Sequence, residues 1–172
     1  MRIALVVYVA LCIALLAQGI HYYPELPEQV AQHFDTQGNP NGWAGKKTLV
    51  AMMAFLVAII TGSFIGLGYA FGSIPDRYFN LPNRDYWLDP ERRSTTIDYL
   101  RAWMTWFGSG TLVLILIVME GVYRYNTSEG GSVLGAPFAI ALVSYISFTI
   151  AATAHMLIRF SSKPKDTGGT GG

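Results

Sequence analysis

The sequence LPEQVAQHFDTQGNPNGWAGK occupies residues 26–46 and separates two long apolar runs. Because long apolar runs are typical of membrane-spanning helices, the polar stretch between them is expected to fold as a loop on one surface of a membrane. Pro24 and Pro27 are expected to end the preceding helix, because proline lacks a backbone donor and clashes with the helical turn before it. The alternation in Val30–Phe34 predicts a short strand, with a helical turn as the alternative. The glycine, asparagine and proline residues that follow favour tight turns, and Trp43 is expected to fold its ring back over the loop.

The composition of the chain indicates a membrane protein. Of its 172 residues, 52% are hydrophobic and only 13% are charged, whereas a soluble domain carries about 25% charge. Each of four apolar runs has about 18 or more residues, enough for a helix to cross about 30 Å of hydrocarbon. The predicted fold is an all-α integral membrane protein with four transmembrane helices and a small extracytoplasmic loop cap. The predicted spans are residues 3–20, 48–71, 102–122 and 136–158, with an outer loop at 23–47 and an inner loop at 73–101.

Two segments at the ends of the chain have other interpretations. The first run also fits a cleaved signal peptide, since Ala17-Gln18-Gly19 resembles a small-residue cleavage site. The membrane domain is expected to end near residue 162. The tail, residues 163–172, contains the low-complexity sequence TGGTGG and is expected to be disordered.

The distribution of basic residues predicts the orientation. Lysine and arginine are enriched on the cytoplasmic side of membrane proteins. Both termini are therefore expected in the cytoplasm, and the 26–46 loop outside. Nine basic residues lie on the side of the termini and three on the other: Arg2, Arg77, Arg84, Arg92, Arg93, Arg101, Arg159, Lys163 and Lys165 against Lys46, Lys47 and Arg124. The formal net charge of +1 and the absence of a recognisable motif argue against a nucleic-acid partner.

The inner connection contains a strong helix start. In Asp89-Pro90-Glu91, the aspartate suits the N-cap, the proline the first helical position, and the glutamate the positive end of the dipole. One long helix is expected from about Pro90 to about Tyr125. In the second span, Gly62 and Gly66, and likewise Gly68 and Gly72, have the spacing that allows two membrane helices to approach closely, either inside the bundle or in an oligomer, with Gly62 and Gly66 as the candidate oligomer contact.

The outer loop resembles the DUF1648 family, a domain of unknown function found at the N-terminus of SdpI-type bacterial membrane proteins. The resemblance covers about 25 residues, or about 50 with the flanking spans. It implies an inner-membrane protein linked to immunity against a secreted peptide, although the additional spans of the longer SdpI-type proteins are absent. A second segment, Phe79–Trp87, is similar to one in some single-domain relatives. The matching loop residues are Leu26, Pro27, Val30, His33, Phe34, Asp35, Gly38, Gly42, Trp43, Gly45 and Lys46.

Three polar side chains inside the predicted spans are candidates for function. Glu120 lies four residues before Arg124, the acid-first spacing that favours an ion pair on one helix face. An intramembrane carboxylate is otherwise a candidate proton or ion site. Gln18 and His155 are expected to hydrogen-bond to other spans.

A metal site in the outer loop is the alternative chemistry. His21, His33 and Asp35, with Glu25 or Glu28, offer imidazole and carboxylate ligands, but their spacing matches no defined site. The structural interpretation is that His33 and Asp35 cap the loop by hydrogen bonding. No bound metal or cofactor is predicted.

These features favour a non-enzymatic inner-membrane protein that binds a secreted peptide or a membrane-protein partner. A small transporter or transporter accessory subunit that uses Glu120, His155 and Gln18 is the second hypothesis. A metal-dependent membrane enzyme is the third. The predicted binding residues are His33, Phe34, Asp35, Gly38, Gly42, Trp43 and Lys46 outside, and Asn80, Pro82, Asn83 and Trp87 inside.

Overall fold

The computed structural model describes residues 1–127 and 133–162. Four helices in this part are long and apolar enough to cross a membrane, and a two-stranded antiparallel hairpin connects the first two. The prediction of four spans with a small cap is confirmed. The predicted tail, 163–172, lies outside the described residues. The elements are α1 (Arg2–Tyr22), β1 (Gln29–Phe34), β2 (Pro40–Gly45), α2 (Lys46–Ser73), α3 (Arg93–Asn126) and α4 (Ala136–Ser161).

The two ends of the bundle differ in character. The hairpin lies at one end, here called the hairpin side, together with the end of α3 and the start of α4. Both ends of the described chain lie at the other end, here called the terminus side. There, the connection between α2 and α3 contains two short helical segments, Asp76–Tyr78 and Arg84–Trp87.

Helix α3 begins slightly later than the predicted start at Pro90. Asp89 accepts the backbone N–H of Glu91 on its side chain at 3.1 Å, and its carbonyl accepts those of Arg92 and Arg93 at 2.9 Å. Asp89 therefore organises a turn that leads into the helix, and the regular helix starts at Arg93.

Helix α2 contains a π-helical stretch, Gly62–Gly66. Gly62 and Gly66 are not buried, and a Cβ atom added at either would meet no atom within 4 Å. The predicted close approach at these glycines therefore does not occur within the described chain. It occurs at Gly68, which is buried against Met104 and Arg101 of α3. An oligomer contact through Gly62 and Gly66 stays a prediction.

Helix α3 is the central element, because each of the other three spans packs against it. A cluster of buried side chains joins α1, α2 and α3: Tyr8, Leu15, Ile60 and Leu112. Gly108 makes this close packing possible, since a Cβ there would come within 2.8 Å of the Tyr8 ring.

Helix α4 attaches to the opposite face of α3. The Tyr145 hydroxyl lies 2.8 Å from that of Thr111, and the Trp103 indole donates to the Ala152 carbonyl at 3.2 Å. Apart from these contacts and those at its two ends, α4 is largely exposed along its length, as expected of a helix at the edge of a bundle in lipid.

Two arginines of α3 satisfy the carbonyl end of α2. Arg93 pairs with Asp76 at 2.8 Å and donates to the Gly72 carbonyl at 3.4 Å. Arg101 donates to the Gly68 carbonyl at 3.3 Å. The last carbonyls of a helix have no partners within it, so these bonds stabilise the end of α2.

One side chain of α3, Asn126, hydrogen-bonds to the edge of the hairpin. Its Oδ1 accepts the backbone N–H of Ala31 at 2.7 Å, and its Nδ2 donates to the Ala31 carbonyl at 3.0 Å. The same Nδ2 donates to the Val122 carbonyl at 2.8 Å, which fixes the amide on its own helix. Asn126 thus pairs with the open edge of β1 in the way a neighbouring strand would.

Asn126→Ala should loosen the hairpin. Ala31 is fully buried, so the substitution leaves two backbone groups without partners, each at a cost of about 1–3 kcal/mol. Hydrogen exchange in detergent should show faster exchange in β1 and little change in α1. Asn41→Ala, at an exposed hairpin position, is the matched control. Unchanged protection of β1 in Asn126→Ala would contradict the clamp.

Candidate functional site

The tip of the hairpin is organised by Asp35. Its carboxylate accepts the backbone N–H groups of Gln37 at 2.9 Å and Asn39 at 2.8 Å. Gly38 has a φ of 85°, a left-handed conformation that glycine adopts without a steric penalty. The backbone N–H of Asn39, together with the other donors of this turn, lowers the pKa of the Asp35 carboxyl below its ordinary value of 3.8. The prediction that Asp35 caps the loop is confirmed.

His33 has a different role from the predicted hydrogen-bonding cap. It pairs across the hairpin with Gly42, and a Cβ at Gly42 would lie 2.8 Å from the His33 ring. The imidazole therefore lies against the glycine backbone, and a side chain at position 42 would require His33 or the strand to shift. The strand register is irregular on both sides of His33, which sets the positions of the side chains along the hairpin.

The side of the hairpin nearest the helices is apolar. Val30 is fully buried and Leu26 nearly so, in a cluster with residues of α1, α2 and α3. Phe34 packs edge-on against Tyr125 at a centroid distance of 5.0 Å. Burial of side chains of this size favours a fixed cap, because each contributes about 1.5–3 kcal/mol.

Lys46 closes the base of the hairpin. Its ammonium lies 3.0 Å from a Glu28 carboxylate oxygen and 3.3 Å from the Leu26 carbonyl, which accepts its hydrogen bond. It also lies 5.2 Å from the centre of the Tyr23 ring. The side chain is only 17% exposed, and the prediction that Lys46 pairs with an acidic residue is confirmed.

The prediction that Trp43 folds back over the loop is wrong. Its side chain is 59% exposed. Trp43 pairs with Ala31 across the hairpin, while the apolar contacts to the helices come from Val30, Leu26 and Phe34. Because these residues fill the side next to the helices, the indole is left on the surface of a well-anchored strand.

A polar cluster lies below the hairpin, between α1 and α3. Glu120 accepts hydrogen bonds from Gln18 Nε2 at 2.9 Å, from the Tyr22 hydroxyl at 2.8 Å and from Arg124 Nε at 2.7 Å. Gln18 also donates to the Leu116 carbonyl at 3.1 Å. The predicted pair between Glu120 and Arg124 and the predicted link from Gln18 to another span are both confirmed.

An apolar groove opens beside this cluster. It has a volume of about 780 Å³ and lies between the hairpin-side halves of α1 and α2. Gly19, Tyr23 and Pro24 line it on one wall, and Val50 and Met53 on the other. Below the groove, the Tyr8 hydroxyl lies 3.1 Å from that of Thr61, which joins the two helices.

The structure does not bring His155 to the polar cluster. The Tyr99 hydroxyl lies 3.1 Å from His155 Nδ1, which confirms the predicted hydrogen bond to another span. Tyr99 is 21 residues before Glu120 on α3, or about 32 Å along a helix. His155 and Glu120 therefore lie at opposite membrane surfaces.

The residues predicted for an inner binding site contact their own chain. Asn83, in a left-handed conformation with φ 51°, donates from Nδ2 to the carbonyls of Phe160 and Ser161, each at 3.0 Å. The Trp87 indole donates to the same Phe160 carbonyl at 2.9 Å. These bonds cap the end of α4. Asn80 is exposed and Pro82 is half-buried on the same segment.

Within residues 1–127 and 133–162, no three His, Cys, Asp or Glu side chains come together in an arrangement that could hold a metal ion. His21, His33 and Asp35 are not assembled into the predicted alternative site. Asp35 instead uses its carboxylate on the backbone of its own turn.

Two residues of the site are not identifiable as such from the sequence. Tyr22 has the position of an interfacial aromatic, yet it bonds to Glu120 and stacks on Tyr123 at a centroid distance of 5.0 Å. Asn126 begins a glycosylation-like triplet, and that pattern gives no hint of its contact with Ala31. The one sequence feature that indicates a structural role for Asn126 is its position at the end of a predicted helix.

The N-terminal part of the chain matches a family of known sequences. Residues 10–59 match the family described as Domain of unknown function (DUF1648). The match covers most of α1, the hairpin and the first half of α2, and it confirms the resemblance for this part of the chain. No curated protein and no solved structure matches the chain.

Glu120→Ala should destabilise the hairpin-side end of the bundle. The substitution removes the acceptor for Gln18 and Tyr22, and bonds to charged groups contribute about 1.5–3 kcal/mol each. Reversible unfolding in mixed micelles is the measurement, and Glu25→Ala, which removes an exposed carboxylate on the same side, is the control. An equal effect of the two substitutions would show that the cluster does not hold α1 against α3.

Proposed function

We propose that this protein is a non-enzymatic membrane receptor that binds a secreted peptide at its hairpin. The observation that carries the proposal is the 59% exposure of Trp43 on a hairpin that is otherwise anchored. Fixing a large aromatic side chain on a rigid surface lowers the entropy cost of binding, and exposed tryptophan is among the residues that contribute most to binding energy.

The surroundings of Trp43 favour a peptide with an apolar segment. The groove of about 780 Å³ between α1 and α2 begins at Tyr23 and Pro24, next to the base of the hairpin. A peptide on the hairpin could therefore extend an apolar portion into this groove without leaving the protein. The resemblance to SdpI-type proteins supports a role in immunity or signalling toward such a peptide.

The free edge of the hairpin is also suited to a peptide. The edge of β1 is occupied by Asn126, whereas β2 has no second strand beside it among the described residues. Unpaired backbone groups on a strand edge allow an extended peptide to add as another strand. Trp43 lies on β2, so one surface offers both backbone groups and an aromatic anchor.

Trp43→Ala should abolish partner binding and leave the fold intact. Because the ring is exposed, the change in stability should stay within about 0.5 kcal/mol. Phe34→Ala, which removes the contact with Tyr125, should lower stability clearly and serves as the contrasting variant. Thermal unfolding in detergent measures the stability of both variants, and only Phe34→Ala should unfold at a lower temperature than the wild-type protein.

The partner itself can be captured with a photo-crosslinking amino acid at position 43 in living cells. The same amino acid at Trp106, which is 43% exposed and distant from the hairpin, is the matched control. A peptide adduct found only at position 43 is the expected result. An adduct with a membrane protein would show that the partner is a membrane protein and not a peptide. Adducts with lipid alone would contradict the proposed binding.

We also propose that the protein resides in the bacterial inner membrane with both termini in the cytoplasm. The excess of basic residues on the terminus side supports this orientation. It places the hairpin on the outer surface, where a secreted peptide arrives.

Single cysteines in a Cys12→Ala background test the orientation. Thr36→Cys, at the hairpin tip, should react with a membrane-impermeant maleimide on whole cells. Ser94→Cys, at the start of α3, should react only after the cells are opened. Both positions are exposed, so a difference reflects the side of the membrane. The reverse labelling pattern would place the hairpin in the cytoplasm.

A further inference from the structure

A second groove lies on the terminus side, between α3 and α4. It has a volume of about 340 Å³ and mainly aromatic walls. The α3 wall runs from Tyr99 to Phe107, which corresponds to about 12 Å along a helix. One leaflet contributes about half of the 30 Å hydrocarbon core, so the groove covers most of a leaflet. Among its lining residues are Ala102, Trp103, Trp106, Phe148 and Ala152.

The surface end of this groove carries hydrogen-bonding groups and a positive charge. The Tyr99 hydroxyl and His155 Nδ1 lie 3.1 Å apart. One turn beyond His155, the Arg159 guanidinium stacks at 4.2 Å from the centre of the Tyr99 ring. Arg159 Nε is buried and has no hydrogen-bond partner among the residues that the structure describes.

No carboxylate pairs with Arg159 in the described part of the chain. Asp98, the acidic residue just before the α3 wall, pairs with Arg101 at 3.2 Å. Stacking on Tyr99 and Trp87 holds the guanidinium without neutralising it. The groove therefore combines an apolar slot of leaflet depth with an uncompensated cation at headgroup level.

We propose that this groove binds one anionic phospholipid of the terminus-side leaflet. An acyl chain lies between α3 and α4, and Arg159 binds the phosphate beside His155. Arginine suits this role because its N–H groups match phosphate oxygens, and basic pockets between membrane helices bind anionic headgroups. The acyl-chain slot favours a lipid over a soluble anion, since a soluble anion would leave the aromatic walls unused. This site is separate from the hairpin and does not depend on the proposed peptide binding.

Fluorescence quenching by brominated lipids tests the site. Trp103 and Trp106 line the groove, and Trp43→Phe removes the tryptophan of the hairpin side. The protein is reconstituted in phosphatidylcholine vesicles containing equal fractions of either chain-brominated phosphatidylglycerol or chain-brominated phosphatidylcholine. The anionic lipid should bind about five-fold more strongly, the scale expected for one basic residue at the surface. Equal quenching by the two lipids would overturn the proposal.

Charge variants assign the preference to Arg159. Arg159→Gln should remove it, and Arg159→Lys should keep part of it. Arg77→Gln is the matched control, because Arg77 also lies over a tyrosine ring, that of Tyr78 at 4.9 Å, but Tyr78 does not line the groove, whereas Tyr99 does. A preference that survives in folded Arg159→Gln protein, or disappears in Arg77→Gln, would reject Arg159 as the phosphate ligand.

Two further measurements distinguish a lipid site from a site for a free anion. Ala102→Leu narrows the slot while keeping Arg159, and it should reduce quenching by the anionic lipid even if the arginine variants fail to fold. Inorganic phosphate should not restore the fluorescence of the wild-type protein. Recovery with millimolar phosphate would indicate a site for a free anion and overturn the lipid proposal. Unchanged quenching in Ala102→Leu would show that no acyl chain occupies the groove.

Discussion

The structure depends on how polar groups find partners where lipid excludes water. An unpaired backbone group that is buried or faces lipid costs several kcal/mol, and the end of α2 and the buried edge of β1 at Ala31 each present such groups. Helix α3 supplies the missing partners near both of its ends. Arg93 and Arg101 bind the carbonyl end of α2, and Asn126 binds the edge of β1. The other elements are thus arranged around one helix that carries the necessary donors and acceptors.

Tyr22 links the hairpin cap to the contact between α1 and α3. Its hydroxyl donates to Glu120, which ties α1 to α3, and its ring stacks on Tyr123 in the cluster that contains Val30 of the hairpin. A displacement of the hairpin would therefore act on the same residues that hold α1 in place.

Local patterns in the sequence are enough to predict several of these features. The four spans follow from apolar runs, the pair of Glu120 and Arg124 follows from their spacing on one helix, and the Asp35 turn follows from its glycine and asparagine content. The contact between Asn126 and Ala31 cannot be predicted in this way, because it joins residues far apart in the chain. The prediction for Trp43 is wrong because the hairpin packs on the helices through Val30, Leu26 and Phe34, and this choice of face depends on α1, α2 and α3, which the loop sequence does not encode. The sequence singles out Asn83 and Trp87 on the inner segment as candidate site residues. It does not predict that they bind the end of α4, because Phe160 and Ser161 are more than 70 residues away.

The contact between His33 and Gly42 restricts how the hairpin can change during evolution. With the imidazole lying against the glycine, any side chain at position 42 would collide with it. A substitution of the glycine therefore requires the imidazole or the local backbone to move. Because His33 is exposed, the tolerance of position 42 to substitution is set by how far the two strands can shift at this pair rather than by a buried core.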